Sequence, residues 1–275
     1  MAIRARFDLT LDRFLIGVRD EMAGVAPDAL LPIDEVIRLT MAGGKRLRPM
    51  FCFWGYRAAG GVDERPIERA AAALELLHTM ALIHDDLMDR SSERRGAPAS
   101  AFQLADRARA RGSSDPERAG TSLALLAGDL ATVLADRLLL TSGFEPRALV
   151  GALDRYHRMR TEMALGQALD LAGGAADQAL VARLKGGSYT VEGPLLIGAA
   201  LAEGDPAALA ALAAYGAPLG LAFQLLDDER DGEAVLEPGR VAGLIAQARA
   251  GLDAPGLDPE AVGALRAMAD LVALG

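Results

Sequence analysis

The chain has 275 residues, a formal charge of −9 and a composition that is 51% hydrophobic but only 4% aromatic. That acidity excludes a broad nucleic-acid or anionic-membrane surface. The single cysteine, Cys52, excludes an intrachain disulfide framework and fits a reducing, cytoplasmic compartment. Residues 1–8 carry no apolar signal-peptide core. No run approaches about 20 apolar residues, and the apolar stretch 194–202 is far too short, so no membrane span is expected.

Abundant Ala and Leu favour helix over sheet. Apolar residues at three- and four-residue spacing predict helices over 9–23, 33–41, 48–59, 66–89, 119–141, 146–171, 177–185, 190–202, 206–231, 239–252 and 258–273. Glycine, proline and serine mark the breaks, at Gly60-Gly61, 112–116, Ser142-Gly143, Gly173-Gly174, 204–206 and Pro255-Gly256. Asp205-Pro206 and Asp258-Pro259 each read as an N-cap followed by proline at the first helical position. The expectation is one all-α domain over 1–275, a helical bundle around a central cavity.

Two predicted helices end in the same acidic pattern, DDLMD at 85–89 and DDERD at 227–231. Residues four apart share a helix face, so Asp85 projects with Asp89 and Asp227 with Asp231. Asp86 and Asp228 complete the two clusters. Crowded carboxylates call for a cation, and hard oxygen donors with little else nearby suit Mg²⁺, which keeps its waters and bridges to phosphates. Two such clusters are expected to form two walls of a pocket for a Mg²⁺-bound diphosphate. His78, Leu82, Asp85 and Asp89 fall on one stripe of an otherwise apolar helix. Acids at a helix C-terminus oppose the macrodipole, which points to a role other than stability.

Of 29 basic residues only Lys45 and Lys185 are lysines. In an arginine background they mark sites for a compact point charge. Lys45 lies in Gly43-Gly44-Lys45-Arg46-Leu47-Arg48-Pro49, three cations in a glycine-led loop before a helix, where anions are favoured. It is not a GxxxxGK[ST] phosphate loop. Arg94 and Arg95 sit on a Gly/Pro-ended loop and can fork onto phosphate oxygens. Gln167 and Asp170 stand at i, i+3 on one helix, and Gln224 stands one turn before the second cluster.

GGKRLRP (43–49), ELLHTMALIHDDLMDRSSERRGAP (75–98), AGDLA (127–131), GQALDL (166–171), KGGSYTVEGPL (185–195) and FQLLDDERD (223–231), in that order, resemble the trans-isoprenyl diphosphate synthases, the polyprenyl synthetase family of geranylgeranyl and farnesyl diphosphate synthases. The resemblance covers roughly residues 1–231 and implies the isoprenoid synthase fold. It implies that Asp85, Asp86, Asp89, Asp227, Asp228 and Asp231 hold Mg²⁺ on the diphosphate of an allylic substrate. Lys45, Arg48, His78 and Arg95 would bind isopentenyl diphosphate. Arg94 and Lys185 would contact the allylic diphosphate, with Gln224 supporting that site. It also implies a homodimer. The fifth residue before the first aspartate, Met80, with Ala81 one turn before Asp85, would set product length, and Met80 predicts a C20 product with C15 next.

Two departures are visible. Lys185 is followed by Gly186, where the family usually has Thr or Ser, so a phosphate-contacting hydroxyl is expected to be missing. After Asp231 the chain passes within about ten residues to a segment resembling the family's final helices, an abbreviation that omits a glycine-rich basic loop. Two other readings stand beside the prenyltransferase. A class I terpene cyclase on the same fold needs no second diphosphate pocket, and Lys45, Arg48, His78 and Arg95 argue against it. A non-catalytic regulatory subunit could lose its acids, yet both clusters are present.

Overall fold

The computed structural model describes residues 3–172, 178–230, 232 and 236–274, and these are helical nearly throughout. The all-α expectation is borne out. The chain divides into two compact units, Met1–Arg46 with Glu68–Ser142, and Leu47–Ile67 with Gly143–Gly275.

The first unit holds α1 (Ile3–Val25), α2 (Leu31–Met41), most of α4 (Glu64–Met88), a short hairpin of β1 (Glu93–Arg94) and β2 (Ala97–Pro98), α5 (Ser100–Ala110) and α6 (Pro116–Leu140). Phe7, Leu11 and Leu15 recur at four-residue spacing along α1 and are fully buried, as are Ile33 and Val36 of α2 and Leu74 and Leu77 of α4. Each such side chain contributes about 1.5–3 kcal/mol when withdrawn from water. Helix α6 begins on a third Asp-Pro pair, with Asp115 accepting from the Arg118 amide at 3.2 Å.

The second unit holds α3 (Leu47–Ala58), α7 (Pro146–Ala172), α8 (Gln178–Ala182), a π-helix (Arg183–Glu192), α9 (Gly193–Leu201), α10 (Pro206–Arg230), α11 (Arg240–Gly251) and α12 (Pro259–Leu274). Phe51, Leu195, Leu212, Tyr215, Leu219, Leu265 and Met268 form its core. The buried Tyr215 hydroxyl donates to the Leu265 carbonyl at 2.7 Å, so the ring is buried without an unsatisfied polar group. Helices α3 and α9 touch backbone to backbone. A Cβ on Gly55 would lie 2.1 Å from the Leu195 carbonyl oxygen, and one on Gly198 would lie 1.9 Å from that of Cys52. Cys52 is a buried free thiol whose pKa burial pushes up, the small apolar residue its context suggests. Both expected Asp-Pro caps form, with Asp205 accepting from the Ala208 amide at 2.7 Å and Asp258 from the Ala261 amide at 2.9 Å.

Two helices differ from the sequence expectation, α5 and the π-helix. Helix α5 was not singled out by spacing, because its buried stripe of Leu104, Ala105 and Ala108 is small and narrow. Residues 186–189, which lie between the predicted helices 177–185 and 190–202, are continuous helix in π form. Their glycines let the backbone close on α10, since a Cβ on Gly220 would lie 2.3 Å from the Gly187 carbonyl oxygen. Helix α10 is long and apolar enough to cross a membrane by length and composition, and it is partly buried. A core helix meets the same test, and Leu212, Tyr215 and Leu219 of α10 sit in the core just described, so this is weak evidence for a span.

Candidate active site

In the first unit, α4 carries the first acidic cluster to its C-terminal end, where the Asp89 amide donates to the Asp85 carbonyl at 2.9 Å. Asp85 is half-buried and Asp89 exposed along one stripe. Asp86 lies about 100° further round the helix and is only 5% exposed. The loop expected to carry Arg94 and Arg95 is the β1–β2 hairpin, with Arg95 at φ 56° and Gly96 at φ 74°, the positive pair that a type I′ turn requires. The hairpin returns Arg94 to the acids. Arg94 Nε and Nη2 donate to Asp86 Oδ1 at 2.8 and 2.5 Å, and Nη2 lies 3.3 Å from Asp85 Oδ2. Burial works to lower the Arg94 pKa, but hydrogen bonding and charge from Asp86, with the charges of Asp85 and Asp89, outweigh it and raise it. Asp86 Oδ2 is buried with no hydrogen-bond partner among the described residues. An anionic oxygen in that setting is costly unless a cation or donor meets it.

The glycine-led loop turns with Gly43 at φ 95°, Gly44 at φ 141° and Arg46 at φ 55°. Its cations divide. Lys45 is exposed, whereas Arg46 is buried, donating to Asp8 at 2.8 Å, Glu75 at 2.6 Å and the Thr40 carbonyl at 2.8 Å. Arg46 therefore ties α1, α2 and α4 to the base of the loop, a structural role that a run of basic residues does not reveal. Arg95 joins the same loop, with Nη1 donating to the Gly43 carbonyl at 2.5 Å and the Leu39 carbonyl at 3.3 Å. A Cβ on Gly44 would lie 3.2 Å from Arg95 Nη2, so glycine lets the guanidinium lie against the backbone. His78 is half-buried two turns before Asp85, Met80 is buried, and Ala81 is half-buried.

In the second unit, Arg48 on α3 donates from Nη2 to Thr190 Oγ1 at 2.9 Å and lies 4.3 Å above the Tyr189 ring. Lys185 Nζ donates to Asp170 Oδ2 at 2.6 Å, joining the π-helix to α7. Gln167, one turn before Asp170, keeps a buried Nε2 with no hydrogen-bond partner among the described residues. Gln224 Nε2 donates to Asp228 Oδ1 at 2.6 Å along α10. A Cβ on Gly186 would fall 1.4 Å from Gln224 Oε1, so Gln224 takes the room that a residue with a side chain would need. Asp227 is about half exposed and lies 3.9 Å from Arg230. Asp231 lies outside the described residues.

Among the described residues, three or more of His, Cys, Asp and Glu do not gather into a ready metal cage. Mg²⁺ does not require one, since it is held by one or two carboxylates together with substrate phosphates and water. Asp86 Oδ2 and the half-buried Asp85 supply hard oxygen donors of that kind.

Residues 32–235 match the family model described as polyprenyl synthetase. The chain is 31% identical over 219 residues to a short chain isoprenyl diphosphate synthase of Methanothermobacter thermautotrophicus, covering 78% of this chain and 62% of that protein. It is 32% identical to a geranylgeranyl diphosphate synthase of Methanosarcina mazei, covering 78% and 64%. The chain thus spans somewhat less than two thirds of the length of these curated relatives. The crystal structure of geranylgeranyl pyrophosphate synthase from Corynebacterium glutamicum, complexed with isoprenyl diphosphate and magnesium, superposes with a TM-score of 0.88 at 29% identity, covering 98% of each chain. With a family model spanning most of its length and the ordered acidic and basic residues in helical register, the chain belongs to the polyprenyl synthetase family.

Proposed function

We propose that the chain is a Mg²⁺-dependent trans-prenyltransferase. It joins isopentenyl diphosphate to an allylic diphosphate and makes a short all-trans prenyl diphosphate, chiefly geranylgeranyl diphosphate and next farnesyl diphosphate. The observation that carries this reading is the first acidic cluster, where three carboxylates crowd one helix end, Arg94 clamps Asp86, and the buried Asp86 Oδ2 is left without a donor among the described residues. Acids placed against a helix dipole at a desolvation cost indicate a cationic ligand.

In this reading Asp85, Asp86, Asp89, Asp227, Asp228 and Asp231 hold Mg²⁺, which supplies charge neutralisation for a departing diphosphate. Arg94 and Lys185 contact the allylic diphosphate, and Gln224 orients Asp228. Lys45, Arg48, His78 and Arg95 hold isopentenyl diphosphate. Once the allylic C–O bond ionises and diphosphate departs, the double bond of isopentenyl diphosphate attacks the allylic carbon, and transfer of a proton to the released diphosphate restores an alkene. The chain's cations act on charge that develops on the leaving group, where preorganised donors have most effect. Met80 and Ala81 limit chain growth.

A homodimer in the cytoplasm completes the reading. Exposed Leu125, Leu126, Val133 and Leu140 on α6 support an apolar contact surface between two copies. The test is to incubate purified protein with Mg²⁺, isopentenyl diphosphate and each allylic diphosphate in turn, followed by chromatography. Elongated prenyl diphosphates are expected. A cyclic hydrocarbon would instead identify a terpene cyclase, and no product a non-catalytic subunit.

A further inference from the structure

The π-helix Arg183–Glu192 is an unusual length of an uncommon form, and such windings concentrate at functional sites. It presents Lys185 to α7, and its next turn presents Tyr189 and Thr190 to α3. Both are nearly inaccessible, at 4% and 1% exposed, and both meet one side chain, Arg48. The Tyr189 ring lies 4.3 Å from the guanidinium carbon, and the Thr190 hydroxyl accepts from Nη2 at 2.9 Å. Among the described residues, no carboxylate is hydrogen-bonded to Arg48, and its buried Nε has no hydrogen-bond partner. A guanidinium held by a π-face and a neutral hydroxyl keeps its full positive charge for an outside anion. A carboxylate in their place, such as the Asp86 that holds Arg94, would neutralise it.

We propose that Tyr189 and Thr190 are positioning residues that hold Arg48 in the orientation in which it binds the diphosphate of isopentenyl diphosphate. The inference rests on the prenyltransferase reading for the identity of that anion. One stretch of π-helix then sets two cations, Lys185 through its own backbone and Arg48 through the face it offers to α3.

The test compares Tyr189→Leu and Thr190→Val with the conservative Tyr189→Phe and Thr190→Ser, and each with Arg48→Ala. Two quantities are read: KM for each substrate, and the Kd for inorganic pyrophosphate with Mg²⁺ by calorimetry. Thermal melts select variants that remain folded, and the near-isosteric Thr190→Val serves if Tyr189→Leu does not. Tyr189→Leu and Thr190→Val should each raise KM for isopentenyl diphosphate about three- to tenfold, with the allylic KM nearly unchanged. Tyr189→Phe and Thr190→Ser should restore most of the affinity, and neither loss should add to that of Arg48→Ala. Equal effects on both substrates, no effect on either, or losses that add to Arg48→Ala would each overturn the proposal. Should the wild type bind pyrophosphate but elongate nothing, the prenyltransferase reading fails while the Kd series still decides whether Tyr189 and Thr190 act through Arg48.

Discussion

The two acidic clusters share a sequence pattern but not a setting. In the first, Asp86 is buried and clamped by Arg94, which reaches it from a hairpin that returns to the helix end. In the second, Asp228 is met from one turn back on its own helix by the neutral amide of Gln224, and Asp227 lies 3.9 Å from Arg230. The first arrangement links cluster geometry to fold stability, because a buried charge and its partner must be lost or kept together. Asp227 and Asp228 are more exposed than Asp86, so they can change with less cost to the fold. The helices leading into the clusters differ as well. Five residues before the first aspartate stands Met80, and five before Asp227 stands the small, fully buried Ala222.

Activity should show the clusters at their most alike. Asp85→Ala and Asp227→Ala are each expected to lower kcat by about 10²–10³-fold, and chelation of Mg²⁺ should abolish turnover reversibly. Full activity in either variant, measured by radiolabelled isopentenyl diphosphate incorporation, would remove that cluster from the chemistry. Product length should separate the two helices. Met80→Phe is expected to shift the main product one isoprene unit shorter, and an unchanged chromatographic profile would release Met80 from that role.

Stability should then separate the clusters themselves. Asp86→Asn takes from the half-buried Arg94 guanidinium its closest anion, leaving Asp85 at 3.3 Å, and should cost about 2 kcal/mol, whereas Asp228→Asn should stay within about 0.5 kcal/mol. Urea midpoints that move equally for both would mean that the clamp does not matter to the fold.

The smallest expected effect lies away from both clusters. Burial, and then the charge of Glu162, raise the pKa of Glu192 above its ordinary 4.5, while Arg183 and Arg155 oppose the shift. A raised carboxylate favours the fold while both states are protonated, and that advantage is lost as pH climbs through the folded-state value. Glu192→Gln should therefore melt about 1–3 °C above wild type at pH 7.5, with the gap closing towards pH 4.5. A gap that grows on acidification would reverse the assignment.

Much of this molecule is legible in its sequence. Apolar spacing locates long helices such as α4, α6 and α10 because one buried stripe must recur at the helical period. Asp-Pro pairs locate helix starts because the caps are chemically local. Helix α5 and the π-helix escaped. Small alanines give the first little apolar signal, and the two glycines inside the second interrupt the apolar spacing although they serve close backbone packing. Among candidate site residues, types and order were plain, but partners were not. Nothing in Gly43-Gly44-Lys45-Arg46 tells that Arg46 turns inward to Glu75 and Asp8 while Lys45 remains in solvent.

The sequence by itself determined that this is an all-helical chain carrying two acidic helix ends and a set of cations in the order of a polyprenyl synthetase, since periodicity, caps and motif spacing are properties of neighbouring residues. Only the tertiary structure decided that Arg94 belongs to Asp86, Lys185 to Asp170, and Arg48 to Tyr189 and Thr190. These pairs lie 8 to more than 140 residues apart in the chain. Which charge meets which depends on how helices pack and on where a glycine leaves room, and neither is encoded in local pattern.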